Sequence, residues 1–195
     1  MTSEFLDKLK EIAKEHLKEE YVATYDHVER VLNLSRKISE AEGGNIKAIE
    51  MAAILHDIGV PKDKPRHYEV GAKFVRELLP KFNVPEEIIE LAANAVLTHS
   101  RYGGPEPKTV EDKILYDADV IDSSGAIGIL RAVLREFFAG KYRGNPIDFI
   151  PVLEKILSVE AKTETGKKIL EKRNKFVKLF LDTLKEELRE AGVQV

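Results

Sequence analysis

Residues 45–61 read Asn-Ile-Lys-Ala-Ile-Glu-Met-Ala-Ala-Ile-Leu-His-Asp-Ile-Gly-Val-Pro. The spacing predicts a short helix from Ile46 to about Asp57, capped by Asn45 and broken by Gly59-Val60-Pro61. That helix is apolar enough to sit at the centre of a core, so its neighbours must be arranged around it. It ends on His56-Asp57, in surroundings where a carboxylate needs a compensating partner. Adjacent helical residues project about 100° apart, so the pair can approach one ion from two directions. The competing reading is a satisfied core histidine beside a helix-capping aspartate.

Outward from this segment the periodicity is helical throughout. Before it, Ser3 to Leu17 places Phe5, Leu6, Leu9 and Ile12-Ala13 on one face. Thr24 to Glu42 does the same with Val28, Val31, Leu32, Leu34 and Ile38, and Gly43-Gly44 ends it. After it come a polar loop to Arg66 and a helix from about His67 to Leu79, stopped by Pro80. Pro85 then opens a helix carrying Ile88, Ile89, Ala92, Ala95, Val96 and His99. Beyond the loop at 101–107, helices are expected near Thr109–Ile121, Ser124–Ala139, Pro146–Val159 and Thr163–Ala191. Strand-like alternation is absent, so the expected fold is all-α, an irregular multi-helix bundle.

Composition limits what such a bundle does. At 195 residues with 43% hydrophobic content, one well-buried domain is expected over 1–195. The formal net charge of −3 does not suggest extended nucleic acid as a partner. With no cysteine, disulfides and thiolate metal sites are excluded, and any metal must be held by nitrogen and oxygen. The charged amphipathic start shows neither a signal peptide nor a membrane span, and a cytoplasmic location is expected.

Four of the five histidines fall at inward or helix-end positions; His16, on the charged first helix, is the exception. His27 shares a face with Val31, Leu34 and Ile38, and His99 continues the stripe of Ala92, Ala95 and Val96. Each alone is more simply a core histidine. His67 opens a helix, and Asp119 lies close to Asp117 and Asp122, three carboxylates that repel unless a cation, donors or solvent compensates them. Taken together, His27, His56, Asp57 and Asp119 supply the ligands a divalent metal needs, and such metals act on phosphate esters and anhydrides.

The order His27 … His56-Asp57 … Asp119 resembles the signature of the HD-domain metal-dependent phosphohydrolases, and in particular their small stand-alone branch. Further matches are Asp-His-Val-Glu-Arg-Val at 26–31, Leu-His-Asp-Ile-Gly at 55–59 and His-Tyr-Glu-Val-Gly-Ala at 67–72. Thr-His-Ser at 98–100 and Asp-Ala-Asp-Val-Ile-Asp-Ser-Ser-Gly-Ala-Ile-Gly-Ile at 117–129 extend the likeness to about residues 22–185. The resemblance implies an α-helical fold and a divalent ion (Mn, Fe, Ni, Co, Zn or Mg) held by His27, His56, Asp57 and Asp119. It leaves His67 and His99 as ligands of a second metal or as substrate contacts; if not a ligand, either could donate a proton to the leaving oxygen, in a catalytic set with Asp57. Asp122 is expected to orient a ligand, and Arg30 to brace a carboxylate. Ser100 stands where the HD-GYP phosphodiesterases carry a second histidine, which argues against cyclic dinucleotide cleavage. Val60 stands where nucleotidase-like relatives place a water-activating glutamate.

The expected substrate is a small phosphorylated molecule, a nucleotide, with a nucleoside triphosphate favoured and release of phosphate or pyrophosphate. A nucleoside 5'-monophosphate phosphatase and a non-catalytic nucleotide sensor are the alternatives. Lys62, Arg66 and Arg101 flank the histidines in sequence and are the candidate phosphate contacts. Arg131, Arg135, Lys141 and Arg143 form a second cluster, equally compatible with a solvated helix surface.

Overall fold

The computed structural model describes residues 3–195. Its helices are α1 (Ser3–Leu17), α2 (Tyr25–Glu42), α3 (Ile46–Leu55), α4 (His67–Leu78), α5 (Glu86–Thr98), α6 (Val110–Asp122), α7 (Gly125–Phe138), α8 (Ile150–Leu157) and α9 (Glu164–Glu190). No strand occurs among the described residues. None of these helices is long and apolar enough to cross a membrane.

The central helix is the one its composition requires. Ala48, Ile49 and Met51 through Leu55 of α3 are all buried, and α2, α5, α6 and α1 pack around it. The Asn45 side chain accepts from the backbone N–H groups of Lys47 and Ala48 at 3.1 and 3.3 Å. Such a cap stabilises a helix by about 1 kcal/mol. Helix α3 stops at Leu55, two residues before the expected end. Ile58 donates to the Leu55 carbonyl and Val60 to that of Asp57, so His56-Asp57 lies in a tight turn instead of on the helix.

That turn is possible only because residue 59 is glycine: a β-carbon there would lie 2.2 Å from the His67 carbonyl oxygen. The close approach carries the start of α4, and with it His67, towards the end of α3. Between them, Lys64–Arg66 forms a single 3-10 turn within the expected loop.

Helices α7, α8 and α9 form a second layer with its own small core of Ile129, Ala132, Phe149, Leu153, Ile156, Val177 and Leu181. The buried Asp117 carboxylate of α6 pins the entry to α9. It accepts from the backbone N–H groups of Lys162 and Thr163 at 2.6 and 2.7 Å and from the Thr163 hydroxyl at 2.6 Å. Burial pushes the Asp117 carboxyl up, and these donors oppose the shift. A β-carbon at Gly166 would fall 2.2 Å from Asp117 Oδ2, so the contact depends on glycine.

The single helix expected over Pro146–Val159 divides into a 3-10 turn, Pro146–Phe149, followed by α8. The cause is Pro151: starting a new helix at Ile150 places its missing N–H in a first turn, where no donor is needed. This second layer also leaves large apolar side chains in solvent: Ile127, Leu130, Leu134, Phe137 and Phe138 of α7, and Phe176, Leu179 and Phe180 of α9.

Candidate metal centre

Five helices deliver one residue or pair each to a single point. His27 comes from the first turn of α2, His56-Asp57 from the turn after α3, His67 from the start of α4, His99 from just past the end of α5 and Asp119 from the last turn of α6. The histidine side chains are at most 13% exposed.

Asp57 is at the middle of the set. Its Oδ2 lies 3.5 Å from His27 Nε2 and 3.3 Å from His56 Nε2, while its Oδ1 lies 3.7 Å from the Nε2 atoms of both His67 and His99. Asp119 Oδ1 approaches His27 Nε2 at 3.3 Å. Two donor groups therefore share one carboxylate: His27, His56 and Asp119 on one side, His67 and His99 on the other. All six residues expected to meet do so.

What these rings present to one another follows from their other nitrogens. His56 Nδ1 faces the Ala53 carbonyl at 2.8 Å, His67 Nδ1 that of Lys64 at 2.9 Å and His99 Nδ1 that of Val96 at 2.6 Å. A carbonyl only accepts, so each Nδ1 carries the proton and donates. His27 Nδ1 likewise donates to Asp122 Oδ2 at 2.8 Å. In their neutral forms all four rings then turn Nε2 lone pairs inward. Yet His27 and His56 Nε2 are 3.2 Å apart, as are His67 and His99 Nε2. In the neutral rings these are acceptor-to-acceptor approaches, which a shared cation turns from repulsive to attractive. Nitrogen and carboxylate donors without sulfur suit borderline and hard divalent ions. The residues present fit a metal.

Without an ion, a proton takes the cation's part at His56, and it is the proton a metal would displace. Burial pushes the His56 ring towards the neutral form, but Asp57 and Asp119 outweigh it and hold its pKa at about 9. Burial opposes ionisation of Asp57 and Asp119 too, yet the surrounding imidazoles keep both well below the usual carboxylate range. His67 moves the other way: burial and the neighbouring His99 ring favour its neutral form.

A second ring of contacts fixes His27. Asp122 is fully buried and accepts from Arg30 Nε at 2.7 Å and Arg30 Nη2 at 3.1 Å, and Arg131 Nη1 contacts the same carboxylate. Two arginines thus balance the charge of the aspartate that orients His27, and Asp122 is held well below the carboxylate range despite its burial.

The centre opens into a cleft of about 730 Å³. Its lining includes His27, Asp57, His67, His99 and Asp119, with cations from Lys64, Arg101, Arg131, Arg135, Lys141 and Lys155. Of the three cations proposed from sequence, Arg101 lines the cleft and donates to the Tyr102 hydroxyl at 2.7 Å. Lys62 is exposed and does not line it. Arg66 does not line it either, because its guanidinium is engaged by Asp63 at 2.9 and 3.1 Å. Lys64, in the same loop, takes that place. Lys64, Lys155 and Tyr102 join the lining without a signal in the sequence that singles them out, and Arg131, Arg135 and Lys141 face the cleft instead of forming only a solvated surface. Arg131 and Arg135 did leave a signal, being one turn apart on α7 and off its apolar face; Lys155 left none, since only packing brings α8 to the cleft. Val60 is buried and forms part of the wall, so that position offers no carboxylate.

The chain is similar to several known proteins in sequence and fold. A family model described as the HD domain matches residues 24–124. The uncharacterised protein YpgQ of Bacillus subtilis (strain 168) is 27% identical over 175 residues, covering 84% of this chain and 83% of YpgQ. An HD-superfamily hydrolase from Bacillus thuringiensis superposes with a TM-score of 0.73 at 28% identity, covering 95% of this chain and 97% of the other. Bacillus subtilis YpgQ solved in complex with ADP superposes with a TM-score of 0.73 over 94% of this chain and 97% of YpgQ, at 21% identity in that longer alignment.

Proposed function

The chain belongs to the HD-domain family, and on that premise we propose that it is a metal-dependent phosphohydrolase of small nucleotides, with a nucleoside triphosphate the first candidate. The observation that carries this reading is the inward convergence of four Nε2 lone pairs on Asp57 beside a cationic cleft. The ADP bound to YpgQ supports a nucleotide ligand here as well.

His27, His56, Asp57 and Asp119 would hold one divalent ion, and His67 and His99 a second that shares Asp57. Ligation suits His67 and His99 better than proton donation, because each commits its Nδ1 proton to a carbonyl and presents Nε2 as an acceptor. Bound there, a divalent ion supplies Lewis acidity towards a phosphoryl oxygen and acidifies water. The chain's own residues do the rest. Asp122, braced by Arg30 and Arg131, keeps His27 in the tautomer that ligates. Arg101, Arg135, Lys64 and Lys155 neutralise the phosphate chain and set it against the histidines. So many cations exceed what a single phosphate engages, and Val60 supplies no water-activating carboxylate; both favour a triphosphate over a monophosphate.

The test is to strip the protein of metal, reload it with single divalent ions, and screen nucleoside mono- and triphosphates for released phosphate and pyrophosphate. Release from triphosphates under at least one ion is expected. No release under any ion, with metal binding retained, would leave a nucleotide-sensing module and overturn the enzymatic reading.

A further inference from the structure

We propose that the outward flank of α7 is the docking surface for a second copy of this chain. Helix α7 has three faces. Ile129 and Ala132 pack into the second core, and Arg131 and Arg135 line the cleft. The third face carries Ile127, Leu130, Leu134, Phe137 and Phe138, exposed between 37% and 67%, with Tyr21 stacked on Phe138 at 4.3 Å. A helix apolar on both its inner and outer faces is ordinarily covered on both.

The size and pattern of this face point to a copy of itself. Six large side chains at those exposures present on the order of 700 Å² of mostly apolar surface. That is close to the ~800 Å² per partner of a stable protein–protein interface. Ile127, Leu130, Leu134 and Phe137 follow alternating steps of three and four residues, the spacing of a helix–helix seam. Such a seam meets its own copy about a twofold axis, each residue pairing with the same stripe on the other chain. A membrane surface fits less well. Arg131 and Arg135 on the same helix are engaged by Asp122 and Glu136, and the chain as a whole is acidic at −3. An anionic bilayer would meet few free cations there.

Sedimentation velocity on the full chain at micromolar concentrations should give a species of twice 22.0 kDa. A monomer at high micromolar concentration would overturn the proposal. Leu130→Glu and Leu134→Glu should each raise the dimer dissociation constant at least about a hundredfold while the helical circular-dichroism spectrum is kept. An unchanged dimer in both would place the interface elsewhere and likewise overturn it. Because the chain has no cysteine, single variants Ile127→Cys, Leu130→Cys, Leu134→Cys and Phe137→Cys report the seam cleanly. At least one should form a disulfide-linked dimer under mild oxidation, and none doing so counts against the seam. Co-sedimentation of a monomeric protein with phosphatidylglycerol vesicles would assign the face to lipid instead.

Discussion

The bundle of α2 to α6 and the layer of α7 to α9 handle their polar groups in opposite ways. In the bundle each of the four converging imidazoles has its second nitrogen tied to a carbonyl or to Asp122. On the layer's side of the cleft, Arg135 is 30% exposed and touches Glu136 and the Tyr102 hydroxyl, while Lys155 lies over the Tyr102 ring at 5.1 Å. Apart from Ile46, the bundle's helices also cover their large apolar side chains, whereas the layer leaves a flank of them in water. A metal centre tolerates little displacement, and the candidate ligands here are immobilised by packing and outer hydrogen bonds. Phosphate contacts on long half-exposed side chains can adjust to a substrate. On the proposed function, the bundle would hold the metal chemistry and the layer would grip the substrate.

The largest expected effect strikes the residue shared by both halves of the centre. Asp57→Ala should remove bound metal and reduce turnover to background, a loss on the order of 10⁴-fold or more, read by metal analysis and phosphate release. Metal retained at full stoichiometry with unchanged activity would take Asp57 out of the site. Asp122→Asn breaks the support and leaves the ligands in place. It should weaken metal affinity by roughly 10–100-fold, and the loss of its charge beside Arg30 and Arg131 should cost about 3 kcal/mol of stability. Unaltered metal affinity in a calorimetric titration would make Asp122 a purely structural group.

A pH series separates the two regions further. The folded pKa of His56, about 9, lies above its ordinary 6.5, so its protonated form stabilises the chelator-treated protein fully below 6.5. That contribution is lost as the pH rises through about 9. Metal affinity runs the opposite way: the ion displaces one proton, and affinity should rise about tenfold per pH unit between those values. A flat profile would show that His56 is not a ligand. The smallest effect is expected in the layer, where Arg135→Ala should raise KM for a nucleoside triphosphate about tenfold without changing metal affinity. A drop in kcat with KM unchanged would break the division between a rigid centre and an adaptable grip.

Much of the centre was legible in the chain. His56-Asp57 stood out because a charged pair at the end of an apolar helix needs a partner, and His27 and His99 because helical phase turned them inward. Asp119 was less distinct, one of three nearby carboxylates whose separate tasks emerge only in three dimensions. Asp117 pins α9, Asp119 faces the converging histidines, and Asp122 orients His27. Arg66 shows the limit from the other side: its place in sequence suggested a phosphate contact, and a local pairing with Asp63 decided otherwise.

The helices, their order and the set of inward histidines could be read along the chain, because helical periodicity and breakers such as Gly59 and Pro80 act over a few residues. Tertiary structure alone decided that Asp57 spans both histidine pairs and that cations from α7 and α8 reach the cleft. It also decided that α7 keeps an apolar flank in solvent. Those outcomes depend on how helices distant in sequence cross, and the crossing is set by the fit of buried surfaces that no single segment contains.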